Sequence, residues 1–216
     1  MIVTKDELIC FNSMLDGTNL FGTHFQAPPS CDEAFVQQTV AGLKEKGFFD
    51  AENQPNKLFF LAAKTLEKYK KANTHIFWNN TRLGLDEKHV VALTSVEGKF
   101  DITCTDKALY LLAMKQNLPA LENTEDMPVL VEEMPMKKWT GDYGKGVVIE
   151  DYQAIQKIKD KRVSVDTIFL YRIKDTWHIY RPQKEELTTC GAPYVLECLL
   201  ELFDLPASKT LKGEKQ

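Results

Sequence analysis

The sequence lacks the local motifs that would identify a catalytic or cofactor site. Its 216 residues include only four histidines and five cysteines, and neither type recurs at metal-ligand spacing. The nucleophile elbow G-x-S-x-G is missing. The glycine cluster Gly141 to Gly146 follows an acidic, proline-rich stretch and lacks the Lys-Ser/Thr pair of a phosphate loop, so it predicts a flexible turn. We therefore expect a protein that is not an enzyme and that holds no metal or cofactor.

A positive net charge and long apolar runs are also missing. A formal net charge of -4 excludes a purely electrostatic binder of nucleic-acid phosphates. No apolar run approaches the roughly 18 residues that a bilayer span needs. The N-terminus reaches Asp6 and Glu7 without the basic and apolar segments of a secretory signal, and the odd, scattered cysteines predict reduced thiols. These absences predict a cytoplasmic protein with no integral membrane association.

The sequence does contain one order of elements twice: a hairpin of alternating strands, a Thr-rich cap and an apolar helix. In the first copy the strands turn at Glu97-Gly98, and Thr105 is predicted to cap the helix. In the second copy they turn at Lys174-Asp175-Thr176, and Thr188 and Thr189 lead into the helix. A period of two followed by a period of 3.6 predicts a pseudo-symmetric α+β protein.

The N-terminal half, residues 1–117, is predicted to begin with three helices. Capping boxes at Thr4 to Glu7 and Ser30 to Glu33 open the first two, and Val36, Val40 and Leu43 are expected on the inner face of the second. In the third, about 57–72, the residues predicted to be buried are Leu58, Leu61, Leu66 and Tyr69. Its lysines indicate either a solvated face or a docking site for acidic groups.

The rest of the chain is predicted to form a junction, a C-terminal half and a tail. Residues 118–146 are acidic and proline-rich, and Val129 to Val131 are expected to form an edge strand there. The C-terminal half, 147–206, is predicted to open with a helix over about 147–161, and residues 207–216 to be disordered.

Aromatic residues of the second hairpin and the apolar last helix admit two interpretations. In the first, they are core residues. In the second, some of them line a groove for an amphipathic helical hairpin, since an antiparallel sheet often leaves one face open. The last helix is apolar over more than a narrow stripe, which favours contact with a partner or a second helix. The predicted protein-binding residues are Tyr171, Trp177, Tyr180, Leu196, Leu199, Phe203, Val129 and Val131.

In this order of elements the chain resembles the EspG-type chaperones of type VII secretion. The resemblance covers nearly the whole chain. The segments that carry it are Asp6-Glu7-Leu8-Ile9, Leu43 to Asp50, Pro55 to Leu66, Asp175-Thr176-Trp177 and Thr188-Thr189 to Gly191. It implies a central, largely antiparallel sheet flanked by helices, with a pseudo-twofold repeat of strand-hairpin-helix units.

The resemblance also implies a function without catalysis. Such a chaperone holds a helical-hairpin secretion substrate soluble in the bacterial cytosol and delivers it to the secretion ATPase. The composition, rich in Lys, Asn, Phe and Ile, is typical of a low-GC Gram-positive bacterium, which favours a WXG-type or LXG-type client over a PE/PPE pair. The alternatives are an immunity or inhibitor protein for a secreted toxin, or a small α+β enzyme whose site is assembled from distant residues.

Overall fold

The chain divides into two compact units, Met1–Thr105 and Asp106–Gln216. The computed structural model describes residues 1–17, 20–23, 33–125, 127–143, 148–161 and 163–206. Both units combine antiparallel strands with helices. The predicted α+β class, with an antiparallel sheet and helices beside it, is therefore confirmed.

Unit 1 places its helices before most of its strands. Strands β2 to β5 lie side by side in chain order, and β1 pairs antiparallel with β5, the last strand of the unit. The predicted hairpin at Glu97-Gly98 joins β4 and β5, and both turn residues have the positive φ that a two-residue hairpin loop requires. The elements are β1 Ile2–Thr4, α1 Lys5–Leu15, α2 Glu33–Glu45, α3 Lys57–Lys71, β2 Thr74–Trp78, β3 Thr81–Leu85, β4 His89–Val96 and β5 Lys99–Asp106.

Unit 2 has the same strand connectivity. Strands β7 to β10 lie side by side in chain order, and the earlier strand β6 pairs antiparallel with β10. The predicted turn after Ile173 joins β8 and β9. The elements are α4 Lys107–Gln116, a short 3-10 helix Pro119–Glu122, β6 Leu130–Glu133, α5 Met136–Tyr143, β7 Glu150–Lys159, β8 Val163–Ile173, β9 Thr176–Arg181, β10 Glu186–Cys190 and α6 Ala192–Leu202.

The capping box at the start of α1 is confirmed. The backbone N–H of Glu7 donates to the Thr4 hydroxyl at 3.2 Å, and the Thr4 N–H donates to the Glu7 carboxylate at 2.7 Å. Lys46 forms an ion pair with the same carboxylate, whose side chain is nearly fully buried. The cap therefore fixes both the helix start and a buried charge. The second predicted box includes residues 30–32, which lie outside the described residues.

Replacing Thr4 with Ala should lower the free energy of unfolding by about 0.5 to 2 kcal/mol, because one end amide of α1 loses its acceptor. The measurement is urea unfolding followed by far-UV circular dichroism. Ser13→Ala on the exposed side of the same helix is the matched control and should change stability by less than about 0.5 kcal/mol. Equal losses in the two variants would show that the cap contributes nothing specific.

The predicted inner faces of α2 and α3 are partly wrong. Leu66 and Tyr69 are buried as expected, but Leu58 and Leu61 are exposed and Phe59 and Ala62 take their places. Val36 on α2 is also exposed, whereas Leu43 is buried. Because α3 is apolar on two sides, residue spacing fits either face. Packing decides: a Cβ at Gly84 of β3 would lie 2.9 Å from the Tyr69 ring, so the bare glycine lets this face of α3 approach the strand.

The helix predicted over about 147–161 is wrong, because Glu150–Lys159 form the strand β7; residue 147 lies outside the described residues. Register shifts between Glu150 and Gln153 and between Lys157 and Ile158 interrupt its pairing with β8, and Asp151 has a positive φ. Such irregularities break the two-residue alternation of a strand. Ile155 and Ile158, on either side of the second shift, are both buried at a three-residue spacing, as apolar residues are on a helix.

Both threonine caps predicted for the repeat are also wrong. Asp106 caps α4, since its carboxylate accepts from the N–H groups of Ala108 and Leu109. Thr188 and Thr189 belong to β10, and Gly191 precedes α6 without a side-chain cap. β-Branched residues favour strands, and this pair extends the sheet by one strand that the pattern did not predict.

Candidate protein-binding surfaces

Most of the predicted binding residues of unit 2 are buried. Their burial rules out an open groove lined by them in this conformation. Tyr171 and Tyr180 lie on one face of the sheet, and Trp177 projects from the opposite face. The fully or nearly fully buried residues are Tyr171, Trp177, Tyr180, Leu199 and Phe203, while Leu196 is half-buried.

Helix α5 covers the face that carries the tyrosines. The Trp139 ring stacks on Tyr180 with centroids 4.5 Å apart and on Phe169 at 5.1 Å. Met134 and Leu187 complete this small core. Sequence patterns did not assign Trp139 to the aromatic cluster. The one signal for it was a tryptophan next to a proline-rich stretch.

On the opposite face, α6 covers a polar cluster around Arg181. Its guanidinium is buried and donates to Cys198 Sγ at 3.5 Å, and the Asp166 carboxylate lies 3.9 Å away. A cavity of about 100 Å³ opens beside these groups. Burial raises the pKa of the Cys198 thiol and raises that of Cys190 to about 12. Thiols held in the protonated form are poor nucleophiles, so this cluster is not an activated cysteine site.

His178 is half-buried on the same face of the sheet as Tyr171. Burial lowers the pKa of its imidazole, with Glu132 acting in the opposite direction, and the ring stacks on Tyr171. Nδ1 lies 3.2 Å from the Thr189 hydroxyl. Among the described residues, no three His, Cys, Asp or Glu side chains gather as a metal site. No helix within the described ranges is long and apolar enough to cross a membrane.

Unit 1 exposes an apolar and basic surface on α3. Phe60 is 61% exposed and Leu61 is 57% exposed. They lie between lysines at three- and four-residue spacing, which places all of these side chains on one side of the helix. Lys57 and Lys64 are exposed, and Lys68 is half-buried. We call this surface the α3 outer face; it consists of Lys57, Phe60, Leu61, Lys64 and Lys68.

Unit 2 exposes an apolar and acidic strand. β6 is the last strand in the order of its sheet, and all four of its residues are exposed. Val131 is 58% exposed and Val129, just before the strand, is 42% exposed. We call this surface the β6 edge; it consists of Val129, Leu130, Val131, Glu132 and Glu133. Of the predicted binding residues, Val129 and Val131 are thus the two that lie well exposed.

A third exposed surface lies on α4. Leu109 and Leu112 are exposed three residues apart on the same side of the helix, without an adjacent cluster of one charge. Leu111 faces inward, and Tyr110 stacks on Phe203. This neutral pair provides a comparison for the two charged surfaces.

The sequence matches one protein-family model over almost its whole length. Residues 2–211 match the model described as Domain of unknown function (DUF5081). The chain therefore belongs to this family. No curated protein matches the sequence.

Proposed function

We propose that this DUF5081 family member is a non-enzymatic chaperone or adaptor that binds a helical partner through the α3 outer face. The observation that carries the proposal is the exposure of Phe60 and Leu61 on a helix whose opposite side already packs on the core. Two neighbouring exposed apolar side chains on one helix face can serve as the anchors of a protein contact. The partner chemistry is an amphipathic helix with an apolar stripe and acidic flanks.

The charge of the α3 outer face supports an acidic partner. Lys57, Lys64 and Lys68 surround the apolar pair, while the chain as a whole carries a net charge of -4. Lysines at the border of a contact act mainly on encounter rate and register, because solvent screens them. The affinity is expected to come from the two apolar side chains.

The apolar contribution is large enough for a specific contact only when the partner covers both residues. Full burial of a large apolar side chain gives about 1.5 to 3 kcal/mol. About three fifths of the surface of Phe60 and of Leu61 is exposed in the free protein. Covering that surface would therefore contribute roughly 1 to 2 kcal/mol of binding free energy per residue. Losing the pair should therefore weaken binding by at least about tenfold.

The resemblance to EspG-type chaperones gives the partner a biological class. In this proposal the client is a WXG-type or LXG-type helical hairpin, which the protein keeps soluble in the cytoplasm and passes to the secretion ATPase. The shared strand connectivity of the two units supports the pseudo-twofold arrangement that the resemblance implies. The high pKa of the Cys190 and Cys198 thiols supports a function other than cysteine catalysis.

The test is co-expression with each WXG-type and LXG-type protein of the same genome, followed by co-purification and measurement of the soluble client fraction. Phe60→Asp/Leu61→Asp should reduce recovered client at least about tenfold, because two carboxylates then meet the acidic and apolar partner. Lys57→Glu/Lys64→Glu should slow association and reduce its dependence on salt.

Leu109→Asp/Leu112→Asp is the matched control, since it introduces the same charge at similarly exposed apolar positions. It should leave client recovery unchanged. Loss in the α4 variant alone would move the site to α4. The proposal would be overturned if no version of the protein retained a client. It would also be overturned if the wild-type protein bound anionic lipid vesicles and the α3 variant lost only that binding.

A further inference from the structure

We infer that the β6 edge is a second binding site, which adds an extended basic and apolar segment of another protein as a further strand. The inference is independent of the proposed function, because it concerns a different surface and a partner in extended conformation. Two observations carry it. The edge exposes backbone groups and apolar side chains together, and its charge is of one sign.

The backbone groups of Val131 and Glu133 point away from β10. Met134 N–H donates to the Glu185 carbonyl at 2.6 Å, so this pair is hydrogen-bonded across the two strands. Hydrogen-bonded and non-bonded pairs alternate along an antiparallel ladder. Glu132 therefore pairs with β10 through its backbone, and the N–H and C=O groups of Val131 and Glu133 face the open side of the sheet.

Side-chain charge selects the kind of segment that fits. Glu133 lies directly opposite Glu186 of β10, and like charges at opposing positions are destabilising. Arg181 of β9 lies opposite Glu186 on its other side, with Nη1 3.8 Å from the carboxylate. A cation on the incoming strand beside Glu133 would continue this alternation of charge. The incoming strand thus carries Lys or Arg opposite Glu132 and Glu133, and apolar residues opposite Val131 and Leu130.

The same pattern disfavours a second copy of this chain as the occupant. An antiparallel pair of β6 strands centred on Glu132 sets Glu132 against itself, and one centred on Val131 sets Glu132 against Leu130. Centring between these two residues sets Glu132 against Val131 and Glu133 against Leu130. Each register repeats a like-charge contact or buries a carboxylate against an apolar side chain.

The test is fluorescence anisotropy of the full chain with the labelled peptide Gly-Thr-Lys-Lys-Val-Ile-Thr-Gly. Wild type should bind this peptide at least about tenfold more tightly than the same peptide with Glu-Glu in place of Lys-Lys. Backbone N-methylation of the peptide should abolish binding, because it removes donors without altering the protein. Glu132→Lys/Glu133→Lys should exchange the preference between the two peptides.

Val131→Pro removes one outward N–H while leaving the pairing with β10, and edge strands tolerate proline at such positions. It should lower affinity at least about tenfold, whereas Val131→Thr, which keeps the N–H, should bind as wild type does. Phe60→Asp/Leu61→Asp should not affect peptide binding, so failure here and failure of the proposed function are distinguishable. Equal binding of both charged peptides, or full binding of the N-methylated one, would overturn the inference.

Discussion

Replacing Leu199 with Asp should unfold the C-terminal unit. Leu199 is 1% exposed on the inner side of α6, in the same stripe as Val195 and Leu202. An unpaired carboxylate at such a position loses both its hydration and the apolar contacts of the leucine. The expected loss exceeds about 4 kcal/mol, out of the roughly 5 to 15 kcal/mol that stabilise an ordinary domain. Urea unfolding followed by far-UV circular dichroism measures it.

Leu196→Asp is the matched control, because Leu196 lies on the same helix and is only half-buried. This substitution should lower the free energy of unfolding much less than Leu199→Asp does, and it should leave the fold intact. The two variants also distinguish the two interpretations of the aromatic and apolar residues of this unit. A folded Leu199→Asp protein that has lost only its client would restore the predicted groove around Tyr171 and Trp177.

Phe11→Ala should lower the free energy of unfolding of the N-terminal unit by about 3 to 5 kcal/mol. Phe11 is fully buried, and its ring centroid lies 5.3 Å from that of Phe48 and 5.0 Å from that of Phe59. The truncation removes both ring contacts and leaves a cavity between α1 and α3. Aromatic pairs of this geometry contribute beyond their buried area, which places the loss at the upper end.

Thermal and urea unfolding measure this loss, and Met14→Ala on α1 is the control. Met14 is half exposed, so its truncation should lower the free energy of unfolding by less than about 1 kcal/mol. Similar losses for the two variants would mean that α1 is held mainly by its cap and ion pair. The aromatic cluster would then not be the centre of this core.

Local sequence patterns predicted the elements with regular periodicity. The hairpins at Glu97-Gly98 and after Ile173 and the box at Thr4 were predictable because each depends on residues close together in the chain. β7 was not, because its register shifts depend on its pairing with β8. A strand with irregular pairing has no fixed period, so apolar spacing alone assigns it wrongly.

The exposed surfaces were harder to predict than the core. In α3, spacing fits either side of the helix, and only the close approach of Tyr69 to Gly84 shows which side is buried. Phe60 and Leu61 become candidates for binding only once that choice is made. The edge strand predicted at Val129 to Val131 is confirmed for Leu130 and Val131, because the neighbouring prolines already indicated a strand at the edge of a sheet.

In both units, the strand that is synthesised first pairs with the strand that is synthesised last. Val3 lies opposite Phe100, and Val131 lies opposite Thr188. On the ribosome, β1 must therefore wait until β5 has left the exit tunnel, and β6 must wait for β10. During that interval the backbone groups of each early strand lack their partner strand, and the pairing closes a long loop, which slows folding. Pausing of translation before β5 or β10 would prolong the period in which a nascent chain of this protein is prone to aggregate.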